Sequence, residues 1–132
     1  MKNKRFINWK PPVIEDGVLN DYNWLVQNVR NLKLGNFTDI GAFTYMNAKY
    51  GINIDDYVQI GSHCSLYTVS TIDNKKGPIK LGENSKIGSH STIMPNVSIG
   101  ANSLIGANSL VLESLPSNIV AFGVPAKIIR SI

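Results

Sequence analysis

A six-residue period runs through most of this chain and limits what it can fold into. Each unit is headed by a large aliphatic residue, usually with glycine next. Two variable residues follow, then a small or apolar one, then one more. Leu34-Gly35, Ile40-Gly41 and Met46 head the first units. After a short skip come Ile54, Ile60-Gly61 and Leu66. After a longer skip, Leu81-Gly82, Ile87-Gly88, Ile93, Ile99-Gly100, Ile105-Gly106 and Val111 follow without a slip. IGSHCS, IGSHST and the doubled IGANSL show the unit most clearly. A period of six fits neither a helix, at about 3.6 residues per turn, nor an alternating strand. It fits a short strand plus a corner, and three units close one triangular coil. Strand spacing then sets the rise at about 4.8 Å per coil.

The heads fall on three faces. Face one carries Ile40, Ile60, Ile87 and Ile105. Face two carries Met46, Leu66, Ile93 and Val111. Face three carries Leu34, Ile54, Leu81 and Ile99. Both skips then fall at one corner, between faces two and three, where an insertion leaves the inner stack undisturbed. The second skip predicts a large external loop at about residues 67–80. Long loops on regular scaffolds are disproportionately functional.

Composition agrees. The chain has 132 residues, enough for one domain, and is 43% hydrophobic and 17% charged, which excludes a disordered tail. It holds 16 Ile and 15 Asn, residues suited to strands and tight corners respectively. The net charge is +4, and the densest basic group is Lys2, Lys4, Arg5 and Lys10. Without a longer run and interleaved aromatics, that group reads as a solvated segment, and no nucleic-acid partner is expected. The single cysteine, Cys64, excludes an intrachain disulfide. No apolar run approaches the roughly 20 residues of a membrane span, and the start lacks the apolar core of a secretory signal. The expectation is a soluble cytoplasmic protein with no membrane partner. Residues 1–33 are expected to form a cap, 34–116 the coils, and 117–132 an irregular last coil with a basic tail. Residues 21–32 read either as a short helix or as an irregular cover over the first coil.

The hexads resemble those of the hexapeptide-repeat acyltransferases, the left-handed parallel β-helix superfamily. The likeness spans residues 34–130 and is sharpest from GPIKLGENSKIGSHSTIMPNVSIG onward. The ending FGVPAKIIR resembles the GxPAK-x-x-R close of galactoside, maltose and nucleotide-amino-sugar acetyltransferases. The resemblance implies an all-β, left-handed parallel β-helix, the hand coming from the family and not from the periodicity. It also implies a homotrimer with active sites between subunits, and acetyl-CoA lying along one corner. By the same resemblance, Lys127 and Arg130 match positions that hold the coenzyme's phosphates. Ser89 and Ala107 match positions whose backbone grips the pantetheine arm. Lys86 stands where several relatives carry Trp.

The two histidines carry the chemistry. His63 and His90 are both the fourth residue of a face-one hexad, so they stack at one corner, one coil apart, facing outward. A coenzyme descending from Lys127 past Ala107 and Ser89 brings its thiol end to His63. His63 is therefore the first choice for general base, with His90 flanking it. Relatives that acetylate sugar hydroxyls carry a histidine at the start of the long loop. This chain has none there. A sugar amine with a pKa near 8, like an α-amino group, needs less help than a hydroxyl, which favours N-acetylation. Asp73 is either a second base or the partner of an acceptor ammonium. Tyr45, Asn47, Tyr67 and Asn74 are candidate acceptor contacts, with Lys49, Tyr50 and Lys76 beside them. With two histidines and one cysteine, and with His63 and Cys64 adjacent and so pointing oppositely on a strand, a complete three-ligand zinc site is not expected, and neither is a metal. The reading is acetyl transfer from acetyl-CoA to the amine of a nucleotide-linked deoxyamino sugar, by direct attack in a ternary complex. The alternatives are sugar O-acetylation and a non-catalytic scaffold.

Overall fold

The computed structural model describes residues 4–132; Lys2, of the basic group, lies outside the described residues. Three parallel sheets wrap one aliphatic core. Face two is a five-stranded sheet of Leu25–Gln27, Tyr45–Asn47, Ser65–Tyr67, Thr92–Ile93 and Leu110–Val111. Face three holds Leu32–Leu34, Ile52–Ile54, Ile79–Leu81 and Ser98–Ile99. Face one begins with Asp39–Ile40, Gln59–Ile60, Lys86–Ile87 and Leu104–Ile105 and ends with Ile119–Gly123 and Ala126–Ser131. This is the β-helix of hexapeptide repeats that the period predicts.

The register follows the hexads residue by residue. On face two Met46 pairs with Leu66, Leu66 with Ile93 and Ile93 with Val111. On face three Leu34 pairs with Ile54, Ile54 with Leu81 and Leu81 with Ile99. On face one Ile40 pairs with Ile60, Ile60 with Ile87 and Ile87 with Ile105. All but Leu34 are buried, because each sits at the inward position of a two- or three-residue strand. The fifth hexad position is buried as well, by Val58, Cys64, Ser91, Val97 and Ser109 among others. Two inward positions per hexad fill a triangular core with little aromatic bulk. Leu66 is fully buried at its centre, so Leu66→Ala should cost about 2–5 kcal/mol, read from chemical denaturation.

The external insertion at the second skip leaves from the expected corner and folds as a short antiparallel hairpin, Val69–Ser70 with Lys75–Lys76. Ile79 is already in a strand and buried, and Tyr67 ends the strand before the hairpin. The expectations for the two ends need correction. Residues 21–32 form no α-helix. Leu25–Gln27 pairs with Tyr45–Asn47, and only Val29–Asn31 makes a 3₁₀ turn. The coils therefore start before Leu34. At the other end, residues 117–132 are not irregular. Ile119–Gly123 pairs parallel to Leu104–Ile105, and Ala126–Ser131 returns antiparallel to it.

Candidate active site

The corner between faces one and two is built the same way in every coil. Gly41, Gly61, Gly88 and Gly106 stand at its start. A Cβ on Gly61 would lie 2.6 Å from the Ser89 nitrogen, and one on Gly88 would lie 2.4 Å from the Ala107 nitrogen. Only glycine lets successive coils approach so closely. A small residue follows (Ala42, Ser62, Ser89, Ala107), and then one with left-handed backbone. That fourth position is Phe43 at φ 63°, His63 at 57°, His90 at 60° and Asn108 at 60°. Asparagine tolerates this conformation best among residues with a side chain, and it fills the same position at Asn84, Asn96, Asn102 and Asn118. The left-handed backbone of the histidines is thus a property of the coil. Their identity is what departs from the asparagine pattern.

Phe43, His63 and His90 form an exposed column. The two imidazoles stack with centroids 4.7 Å apart and planes 2° from parallel. Phe43 packs on His63 from below, at 5.3 Å and a tilt of 43°. The same spacing that marks the histidines also marks Phe43, which the sequence reading passed over. Backbone bonds fix the column: the His63 amide donates to the Ala42 carbonyl at 2.9 Å and the His90 amide to the Ser62 carbonyl at 3.0 Å. Among the described residues, no hydrogen bond uses the amide of Ser89 or Ala107, and each nitrogen packs over the glycine of the coil below. Beside the corner, a groove of about 260 Å³ crosses the coils on face one, along Gly61 and Gly88 to Leu104. Lys86 also lines it, its ammonium tied to Asn84 Oδ1 at 3.1 Å.

Behind the histidines a ladder of polar side chains holds the corner. Thr44 Oγ1 donates to the Gly61 carbonyl at 2.9 Å and Ser91 Oγ to the Gly106 carbonyl at 3.2 Å. Cys64 takes the same place between them, its thiol 3.2 Å from the Gly88 carbonyl. Burial pushes that thiol up from its ordinary value, outweighing opposing backbone groups of Ser91 and His90. The thiolate is the reactive form, so Cys64 should alkylate at least about tenfold more slowly in the native protein than in denaturant, followed by mass spectrometry. Cys64→Ser should keep the ladder. Cys64→Val should leave the Gly88 carbonyl without its partner and cost about 1–3 kcal/mol in denaturation midpoint analysis.

The remaining sequence candidates spread outward from this corner. Lys127 and Arg130 lie on the exposed last strand, paired with Phe122 and Val120. Phe122 stands over Gly106, which puts the Lys127 end of that strand above the histidine corner. Arg130 lies further along, towards the opposite corner. Tyr45, Asn47 and Tyr67 point outward from face two, with the Tyr45 and Tyr67 rings 5.7 Å apart. Asp73 and Asn74 sit at the hairpin tip, away from the histidines along the chain's surface. The Ser70 hydroxyl and Lys75 hold the Asp73 carboxyl below the usual carboxylate range, with Lys75 Nζ at 3.6 Å. An anion so held suits pairing with an ammonium better than taking a proton. Among the described residues, no group of three or more His, Cys, Asp or Glu side chains is placed to hold a metal ion, and no helix is long and apolar enough to cross a membrane.

Comparison with known proteins agrees with this geometry. The family described as bacterial transferase hexapeptide (six repeats) matches residues 78–113, the stretch containing Ser89, His90 and Ala107. A maltose O-acetyltransferase from Clostridium difficile 630 is similar, with 27% identity, a TM-score of 0.74, and coverage of 83% of this chain and 64% of that one. A hexapeptide-repeat acetyltransferase from Vibrio cholerae O1 biovar eltor, complexed with acetyl coenzyme A, gives 30%, 0.78, 82% and 64% respectively. AntD, an N-acyltransferase from Bacillus cereus in complex with dTDP and 3-hydroxybutyryl-CoA, gives 26%, 0.68, 83% and 77%. This chain thus spans slightly less than two thirds of the length of the first two. No curated protein sequence matches. The repeat, its register through all three faces and these likenesses give the chain the hexapeptide-repeat β-helix, a fold it shares with the acyltransferases to which it is similar.

Proposed function

We propose that the protein transfers an acetyl group from acetyl-CoA to the amine of a nucleotide-linked amino sugar. The observation that carries this reading is the corner itself: two stacked, exposed imidazoles, the small residues Ser89 and Ala107 beside and above them, and the Lys127 end of the last strand over the corner. An extended thioester arm needs amide donors along its length and a proton acceptor at its reactive end. Lys127 and Arg130 would meet the phosphates of the coenzyme, and Ser89 and Ala107 its pantetheine amides. The free amine attacks the thioester carbonyl carbon, the C–S bond breaks, and the coenzyme leaves as its thiolate. His63 takes the proton that the amine sheds and returns it to the departing sulfur, giving the free thiol, and His90 holds the His63 ring by stacking.

The amino-sugar acceptor is supported by the likeness to the AntD N-acyltransferase complexed with dTDP, and by the absence of a histidine from residues 68–77. Asp73, Tyr45, Asn47, Tyr67 and Asn74 would reach the acceptor from face two and the hairpin of a neighbouring subunit. A homotrimer would also cover Phe122, Ile128 and Ile129, which are about half exposed in the single chain. The likeness to a maltose O-acetyltransferase favours the second reading, transfer to a sugar hydroxyl. Thiol release from acetyl-CoA, measured with thymidine and uridine diphosphate sugars bearing amino or hydroxy groups, separates the cases. Release with an amino sugar is the expected result. Release only with hydroxy sugars makes the second reading correct. No release and no coenzyme binding would leave a non-catalytic scaffold.

A further inference from the structure

The corner between faces two and three gathers cations around one aromatic ring. Lys49 Nζ lies 5.7 Å from the Tyr50 ring centroid, and Lys76 Nζ, from the hairpin one coil above, lies 5.6 Å from it. Both are within the roughly 6 Å over which a cation feels a ring's quadrupole. The backbone holds this arrangement in place. The Tyr50 amide donates to Thr68 Oγ1 at 3.0 Å, and the buried Thr68 hydroxyl donates to the Asn47 carbonyl at 2.7 Å. From the coil below, Asn31 Nδ2 donates to the Lys49 carbonyl at 3.0 Å.

Tyr50 and Lys49 line a groove of about 410 Å³ together with Arg30, Asn31, Lys33 and Gly51. Its lining holds no carboxylate. Around its rim, Lys33 also borders Asp55, Asp56 and Glu83 on its other side, and Asp16 accepts from the Val29 amide beside Arg30. Lys75 is engaged by Asp73, whereas among the described residues no ion pair uses Arg30, Lys49 or Lys76. Cations collected this way repel one another, and a bound anion reverses that repulsion. The volume falls within the roughly 300–1,000 Å³ of small-molecule sites.

We infer that this groove binds the diphosphate of the nucleotide-linked acceptor through Lys49 and Arg30, with Lys76 reaching in from over the Tyr50 ring and the exposed part of that ring against the base or sugar. The inference rests on the proposed reading of the acceptor. Phosphates of the same chemistry occur in the coenzyme, so the test separates the two sources. Wild type and the Lys49→Gln/Lys76→Gln double variant are titrated calorimetrically with thymidine diphosphate, uridine diphosphate, inorganic diphosphate and acetyl-CoA. Both lysines are exposed and use only backbone atoms in the fold's hydrogen bonds, and an unchanged melting temperature checks that the variant folds. The expected result is a nucleoside diphosphate that binds wild type and loses at least about tenfold in affinity in the variant, as the loss of charge-assisted hydrogen bonds requires. Acetyl-CoA affinity should stay the same. Inorganic diphosphate should bind more weakly, and Tyr50→Leu should remove the difference. Equal nucleotide affinity in wild type and variant, or no nucleotide binding at all, overturns the inference while leaving acetyl transfer intact. A loss of acetyl-CoA affinity in its place assigns the groove to the coenzyme and also overturns it. If acetyl-CoA fails to bind wild type while nucleotide binding still depends on the lysines, the functional reading fails and the groove assignment stands.

Discussion

His63→Asn should lower kcat for acetyl transfer by about 10²-fold while leaving the protein folded, because a positioned general base contributes roughly 10²–10⁴-fold. Asparagine is the informative replacement here. It already occupies the equivalent left-handed corner position at Asn84, Asn102 and Asn108, so the backbone accepts it without strain. The variant loses the ring contacts to His90 and Phe43, worth about 0.5–1.5 kcal/mol each, and regains part of that through relief at φ 57°. The melting temperature should therefore move by only a few degrees, on the order of 4 °C per kcal/mol. The KM for acetyl-CoA should change little, since His63 is assigned to the reacting end and not to the phosphates or pantetheine. His90→Asn should cost less, because His90 acts through the His63 ring. Steady-state thiol release beside calorimetric melting checks both variants. Unchanged kcat in His63→Asn would remove the base from the mechanism.

Gly88→Ala should be among the most damaging substitutions in the chain for its size. The added methyl would meet the Ala107 nitrogen at 2.4 Å, and the Ala107 Cα and Gly106 carbonyl carbon at 2.8 Å. These are backbone atoms of the next coil and cannot rotate away. The coils must part locally, which strains the hydrogen bond that the Gly88 amide donates to the Ile105 carbonyl at 2.7 Å and shifts the Ala107 backbone. The expected cost is about 3 kcal/mol or more, a large share of the roughly 5–15 kcal/mol that holds an ordinary domain together. Acetyl-CoA binding should weaken in the same variant, since the grip on pantetheine lies at that corner. Gly17→Ala is the control. Nothing lies within 4 Å of its added methyl, and only its φ of 69° resists the change, at about 1–2 kcal/mol. Denaturant titration of the two variants should separate them clearly.

The parts of the fold legible in the sequence are those where one residue type does one geometric job in every coil. The inward aliphatic heads sort onto the right faces because a register slip would turn them outward. The stacked histidines follow from the same count, since equal hexad positions one coil apart must lie above one another. The ends were not legible for the opposite reason. Val26 belongs to the first coil, yet no hexad leads into it, and its place is fixed by pairing with Met46. The last strand is exposed along nearly its whole length, so Ile128, Arg130 and their neighbours carry no burial alternation to reveal it. Phe43 is legible by position alone, since an apolar ring at a corner slot otherwise filled by asparagine or histidine carries no ionisable group to mark it. The cation cluster at Tyr50 was only half legible. Lys49 and Lys76 are 27 positions apart, and the hairpin that brings Lys76 back over the ring shows no periodicity.

A crystal structure of the protein with acetyl-CoA tests the central claim most directly. The coenzyme should lie along the corner between faces one and two, its phosphates towards Lys127 and its pantetheine amides at Ser89 and Ala107. Its thioester carbonyl should reach the His63 ring directly or through one water, within about 4 Å. Coenzyme bound at another corner, or lying in the reverse direction with its thioester beside Lys127, would contradict the assignment of this corner as the site of transfer.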